Sequence, residues 1–273
     1  MSDVAIEGVL RRDRVIVSAA LLVLTGLAWA YVWWLAADMD MGGMDMSGFR
    51  MIPAGMGLMM PTTAPWNAME FAFVFAMWAV MMIGMMTPSA APMILIYARV
   101  GRQAAQRGKP LAACAYFAAG YLLTWIGFAL AATSAQWALE RGTLLTPIMA
   151  GASGVFSGIV LIAAGLYQWT PLKDACLRQC QAPWLFIQRH GGFRPDVPGS
   201  LALGARHGAY CIGCCWVLMA LLFVGGVMNV LWIAAIAILV LAEKVVPAGR
   251  VISRTSGAGL FAGGAWLLAQ ALR

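Results

Sequence analysis

Five of the chain's six cysteines fall between positions 176 and 215. Cys176 and Cys180 are four residues apart, so on a helix they stand on one face. Cys211 precedes Cys214 by three residues and Cys215 by four, which makes a second shared face. Two such faces set against one another would offer four soft ligands to one ion, and thiolates suit Cu(I) and Zn(II) alike. The expected site is Cys176, Cys180, Cys211 and either Cys214 or Cys215, with Met219 one turn beyond as a thioether. Cu(I) takes fewer ligands than Zn(II), which would leave a cysteine free for transfer. Cys211-Ile-Gly-Cys214 is also a C-x-x-C sequence. It admits a second chemistry, thiol–disulfide exchange at Cys211 and Cys214, provided that a helix N-terminus makes these thiols reactive. A third reading gives the cysteines a purely structural Zn(II). Cys114 stands alone and reads as a small apolar filler.

The methionines decide between the ions. Met39, Met41, Met44 and Met46 alternate with aspartate and glycine, so they serve no core, and thioethers select Cu(I). Further on, Met77, Met81 and Met85 recur every four residues, with Met82 and Met86 beside them. Such a stripe usually means packing, because methionine fills irregular gaps. This one leads away from the Met-rich segment, past Met69 and Glu70. Met69 to Met85 spans roughly 24 Å of helix rise, enough for a series of weak thioether sites to hand Cu(I) inward. Glu243, beside Lys244 in an apolar stretch, is either a further ligand or half of an ion pair. His190 and His207 read as loop or interface residues.

What must position these side chains is a membrane bundle. The chain is 62% hydrophobic and 11% charged, against about 25% charged in soluble domains. Seven apolar stretches, near 15–37, 67–98, 111–135, 145–169, 208–227, 230–247 and 257–272, predict an all-α polytopic protein in the lipid bilayer. The first reads as an anchor rather than a signal peptide. Pro88 and Pro92 make the second either one kinked helix or two pieces. Gly151, Gly154, Gly158 and Gly165 give the fourth a face for close packing. Of the 18 Lys and Arg residues, all but Arg50, Arg141 and Arg273 fall in segments that lie inside if the N-terminus is inside. That asymmetry predicts N-terminus in and C-terminus out. It also accounts for the net charge of +7 without nucleic acid. Residues 1–273 then form one transmembrane domain, with 38–66 a Met-rich outer loop free of regular structure and 170–207 a cytoplasmic loop. Cys211, Cys214 and Cys215 would sit in the first turns of the fifth span. Thiols at that face stay reduced, so disulfides are not expected. There is no internal repeat, hydrolase triad, phosphate-binding loop or nucleotide fingerprint. Only the thiol-redox alternative would make the chain an enzyme.

At these motifs the chain resembles a family described as predicted metal-binding integral membrane proteins. The residues that carry the resemblance begin with Trp78-Ala-Val-Met81, Met85-Met86-Thr-Pro88 and Pro92. Then come Tyr167-Gln168-x-Thr-Pro171-Leu-Lys173-x-x-Cys176-Leu-x-x-Cys180-x-x-Pro183, followed by Gly208-x-Tyr210-Cys-x-Gly-Cys-Cys-Trp216-x-x-Met219. Gly226-x-Met228 and Glu243-Lys244 complete the set. Gln181 stands where the family tends to have arginine. The resemblance covers most of residues 65–250 and implies metal binding and a bacterial inner membrane. Together these readings predict a soft-metal protein handling Cu(I), in uptake or in delivery to a metalloprotein or from a metallochaperone. The alternatives are the oxidoreductase and an assembly subunit holding Zn(II).

Overall fold

A computed structural model describes residues 3–39, 48–55, 57–109, 111–147 and 149–273, with side chains from Val15 onward. The order is α1 (Asp3–Asp38), a hairpin of β1 (Phe49–Met51) and β2 (Met59–Pro61), α2 (Ala68–Gln106), α3 (Cys114–Arg141) and α4 (Gly154–Tyr167). There follow α5 (Pro171–Gln181), α6 (Pro183–Arg189), α7 (Val197–Ala220), α8 (Leu222–Gly225), α9 (Val230–Val245) and α10 (Gly249–Ala271). The fold is all-α apart from the hairpin. Four stretches are long and apolar enough to cross a membrane: Val15–Asp38, α2, α3 and Val197–Gly225. A fifth exists if α4 and α5, which meet at a 65° bend, count as one broken span. Such helices are compatible with a membrane protein. The short α9 and the more polar α10 do not meet the same test.

Side-chain caps explain where several helices start. Asn67, Ser153, Thr170, Asp196 and Asn229 each accept a backbone N–H in the first turn of the helix that follows, satisfying donors that have no partner within the helix. α2 is one continuous helix through Pro88 and Pro92, about 58 Å long at 1.5 Å per residue. Pro88 cannot donate to the turn before it. Hydroxyls bond nearby carbonyls of the same stretch: Thr87 donates to the Ile83 carbonyl at 2.6 Å, and Ser89 and Tyr121 donate to the Met86 carbonyl at 2.9 and 3.1 Å.

α2 lies between α1 and α3, α3 against α7, α7 against α5, and α4 against α10. Glycines set the closest approaches. A Cβ on Gly204 would stand 2.0 Å from the Phe117 carbonyl oxygen, so α3 and α7 touch backbone to backbone. Gly158 and Gly165 meet the Gly264 and Gly257 carbonyls of α10 in the same way, which uses the small face expected of the fourth apolar stretch.

Three expectations are corrected. The 38–66 segment contains a hairpin, in which Arg50 pairs with Met60 across the strands. Buried Arg50 holds it down by a two-pronged ion pair to Glu70, at 2.6 and 2.9 Å, and by bonds to the Pro61 and Ala64 carbonyls. Burial opposes the charge on Arg50, but the Glu70 bond prevails and keeps the guanidinium firmly protonated. The 170–207 segment is mostly helical, in α5, α6 and the start of α7. Finally, α7 begins at Val197 rather than near Gly208, because Asp196 and Pro198 supply the cap and first turn. Cys211, Cys214 and Cys215 therefore lie mid-helix.

Candidate metal centre

The centre forms where α5 crosses α7. Thr170 caps α5, Pro171 opens it, and the 65° bend from α4 aims it across α7. The four-residue spacing of Cys176 and Cys180 then presents both sulfurs to α7. Cys180 Sγ stands 4.0 Å from Cys214 Sγ. Cys176 Sγ lies against Gly213, where a Cβ would come within 2.8 Å of the sulfur. The glycine inside Cys-Ile-Gly-Cys thus seats the thiol of the other pair. Tyr167 fixes this point by donating a short hydrogen bond to the Gly213 carbonyl.

Cys211, Cys214 and Cys215 are all buried. The thiols of Cys214 and Cys215 both donate to the Cys211 carbonyl, at 3.1 and 3.0 Å. Cys211 has two partners from other helices. The Tyr121 hydroxyl of α3 is 3.1 Å from its sulfur, and the Lys244 ammonium of α9 is 2.8 Å from it. Lys244 also reaches Cys215 at 3.8 Å and Ser89 of α2 at 3.3 Å. All six cysteines are free thiols. Among the described residues no three His, Cys, Asp or Glu side chains already converge on one point as an ion would require. Across the two helices, the sulfurs of Cys180 and Cys214 are neighbours at 4.0 Å.

A helix N-terminus acts on groups in its first turn, and Cys211 lies well past that of α7. The group beside the thiol is instead the Lys244 ammonium, which can activate a cysteine as a helix N-terminus would.

The buried methionine stripe leads to this cluster. Met77, Met81, Met82, Met85 and Met86 are all buried on α2, whereas Met69 is exposed. At its C-terminal end, the Met86 carbonyl holds the tyrosine that touches Cys211, and Ser89 holds the lysine that touches it. Met219 is buried one turn beyond Cys215. Met39, expected to serve no core, is buried in it and lines a cavity with Met228 and Trp33. Met41, Met44 and Met46 lie outside the described residues. On the other side, Cys176 lines a shallow cavity with His190, Arg206 and Tyr210.

Glu243 takes no part in the sulfur contacts. Lys173 bonds one of its carboxylate oxygens at 2.7 Å and Gln168 the other at 2.9 Å. Lys173 also donates a short hydrogen bond to Gln168, Ser253 donates to the same amide oxygen at 3.1 Å, and Gln181 donates to the Glu243 carbonyl at 2.7 Å. This buried node ties the α4–α5 bend to α9 and α10. The ion pair expected between Glu243 and a neighbouring base is thus made with Lys173, while adjacent Lys244 turns to the thiols. Successive helix residues face different ways, so Glu243-Lys244 divides between two sites. Sequence reasoning placed Lys173 and Lys244 among the loop charges and gave Tyr121 and Gly213 no role. The i, i+3 spacing of Lys173 and Cys176 was the signal that could have placed Lys173 near the thiols.

His207, expected in a loop or at an interface, is buried in α7 among the rings of Phe117, Tyr121 and Phe186. His190 caps α6 and bonds the Phe186 carbonyl at 2.8 Å through Nδ1.

Comparison with curated proteins and with solved structures found no match. A family model described as PpoB2, copper chaperone, matches residues 75–267. The match takes in every cysteine and the α2 stripe from Met77 onward, and leaves out the 38–66 segment. As it spans more than half of the chain, this protein belongs to the PpoB2 copper chaperone family.

Proposed function

We propose that the chain is a membrane-embedded copper chaperone. It passes Cu(I) along thioethers to the thiolates between α5 and α7 and releases it there to a metalloprotein. The observation that carries this is the meeting of Cys180 with Cys214 at 4.0 Å, beside a Cys211 held by Lys244 and Tyr121. Two thiolates on Cu(I) leave one net negative charge, which is costly in a low-dielectric interior. The Lys244 ammonium supplies the countercharge at the sulfur itself. Each transfer exchanges one ligand for another: no electron moves, and a thiol that takes the ion from a thioether releases its proton as the copper–thiolate bond forms.

The route begins at Met39 and Met228, follows Met77, Met81 and Met85, and reaches Cys211 and Cys215, which Tyr121 and Lys244 link to Met86 and Ser89. Met219 flanks the same end. Cys180 and Cys214 hold the ion. Cys176, whose cavity opens beside Arg206, presents it to the acceptor. Met41, Met44 and Met46 would collect copper at the outer face. In this reading α1, α2, α3, α4, α7, α9 and α10 are the seven spans of a bacterial inner-membrane protein, N-terminus in and C-terminus out. Two of the basic residues behind that orientation, Lys173 and Lys244, are buried in the site, yet the remaining bias still favours it. The family description supports copper and lends nothing to zinc.

The test is transfer. The full chain in nanodiscs is loaded anaerobically with Cu(I) and mixed with a copper-free metalloprotein, and copper is measured in the acceptor. Transfer from the wild type, lost in Cys180→Ser and Cys214→Ser, is expected. Copper that binds the wild type but does not move, or that moves as well without these thiols, would refute the chaperone role.

A further inference from the structure

His207 precedes Cys211 by one helical turn on α7 and is only 3% exposed. Its ring is walled by Phe117, Tyr121 and Phe186, with centroids 6.0, 5.7 and 5.1 Å away. Its Nδ1 is sealed from solvent and has no hydrogen-bond partner among the described residues. Buried ring nitrogens ordinarily have one, so an unpaired nitrogen is a reason to look for an absent ligand. The sulfur beside it supplies the second observation. Helix side chains lean towards the N-terminus, so Cys211 leans back over residue 207. The tyrosine whose ring flanks His207 places its hydroxyl 3.1 Å from Cys211 Sγ. The imidazole and the thiol therefore share one water-excluding enclosure.

We propose that His207 is a further Cu(I) ligand, binding through Nδ1 together with Cys211 in a nitrogen–sulfur subsite. This rests on the copper reading above. In the tautomer with its proton on Nε2, the Nδ1 lone pair forms the bond without displacing a proton, and the Cys211 thiol releases its own proton as it binds. Imidazole suits copper but is harder than thiolate. A nitrogen–sulfur pair thus holds Cu(I) less tightly than two thiolates, which fits a position that receives the ion and passes it on. The aromatic walls keep water from competing.

Copper K-edge absorption on the full chain in nanodiscs, titrated to saturation with Cu(I) alone, decides the point. Chelator competition and a thiol count run on the same samples. The wild type should show a nitrogen scatterer at roughly 2 Å as its weaker site fills. His207→Gln should lose that scatterer and about tenfold in affinity at the weaker site, with the thiol count and melting behaviour of the wild type. Cys211→Ser should lose the same site. A sulfur-only shell in saturated wild type overturns the proposal and leaves the chaperone reading standing, and the wild-type spectrum decides this even if a variant does not fold. No Cu(I) uptake by the wild type overturns both.

Discussion

The node formed by Lys173, Glu243 and Gln168 holds α5 in place, and its removal should be felt at the thiols. The Lys173 and Glu243 side chains are 0% and 1% exposed and 2.7 Å apart. Lys173→Met leaves a buried carboxylate whose remaining side-chain partner is the Gln168 amide. Breaking one side of a buried ion pair costs about 3–5 kcal/mol, mostly from the charge left behind. The double variant Lys173→Met with Glu243→Leu strands no charge and should cost far less than the two single changes together. The assay is equilibrium unfolding of the full chain in mixed micelles with increasing denaturing detergent, read as a double-mutant cycle. A coupling of about 2 kcal/mol or more is expected. Copper affinity should fall in both single variants, since α5 carries Cys176 and Cys180. Single variants that cost under about 1 kcal/mol, or strictly additive effects, would mean that the node does not hold the bend.

Lys244→Met removes the countercharge beside Cys211 and should lower Cu(I) affinity about tenfold, or about 1.4 kcal/mol, with no change in the thiol count; Lys244→Arg should retain part of it. Gly213→Ala would place a methyl group 2.8 Å from Cys176 Sγ. It should push that thiol outward, seen as faster alkylation of Cys176 than in the wild type. Met81→Leu with Met85→Leu conserves volume, so stability should change by less than about 1.5 kcal/mol per site. Copper accumulation by cells should nonetheless drop, and unchanged accumulation would make the stripe mere packing.

Much of this site could be read from spacing. The i, i+4 relation of Cys176 and Cys180 and the grouping of Cys211, Cys214 and Cys215 are properties of one helix turn, and a helix turn is local. The methionine periodicity of α2 was legible for the same reason. What could not be read is non-local. Nothing within residues 240–246 says that Glu243 faces Lys173 while Lys244 faces Cys211, because that depends on how α9 is rotated against α5 and α7. Tyr121 reaches the cluster only because Gly120 and Gly204 let α3 and α7 meet at their backbones. The start of α7 was misplaced because Gly199, Arg206 and His207 interrupt the apolar pattern. The Asp196 cap and Pro198 fix the boundary instead. Apolar length alone also overstated how long two of the helices are, since α4 and α9 hold 14 and 16 residues.

Anaerobic Cu(I) titration of the purified full chain against a chromophoric chelator tests the central claim most directly. The account predicts at least one tightly held Cu(I) per chain, with the affinity cut at least tenfold by Cys180→Ser and by Cys214→Ser alike and unaffected by Cys114→Ser. Tight binding that survives both of the first two substitutions, or no tight binding by the wild type, would contradict a copper site shared between α5 and α7.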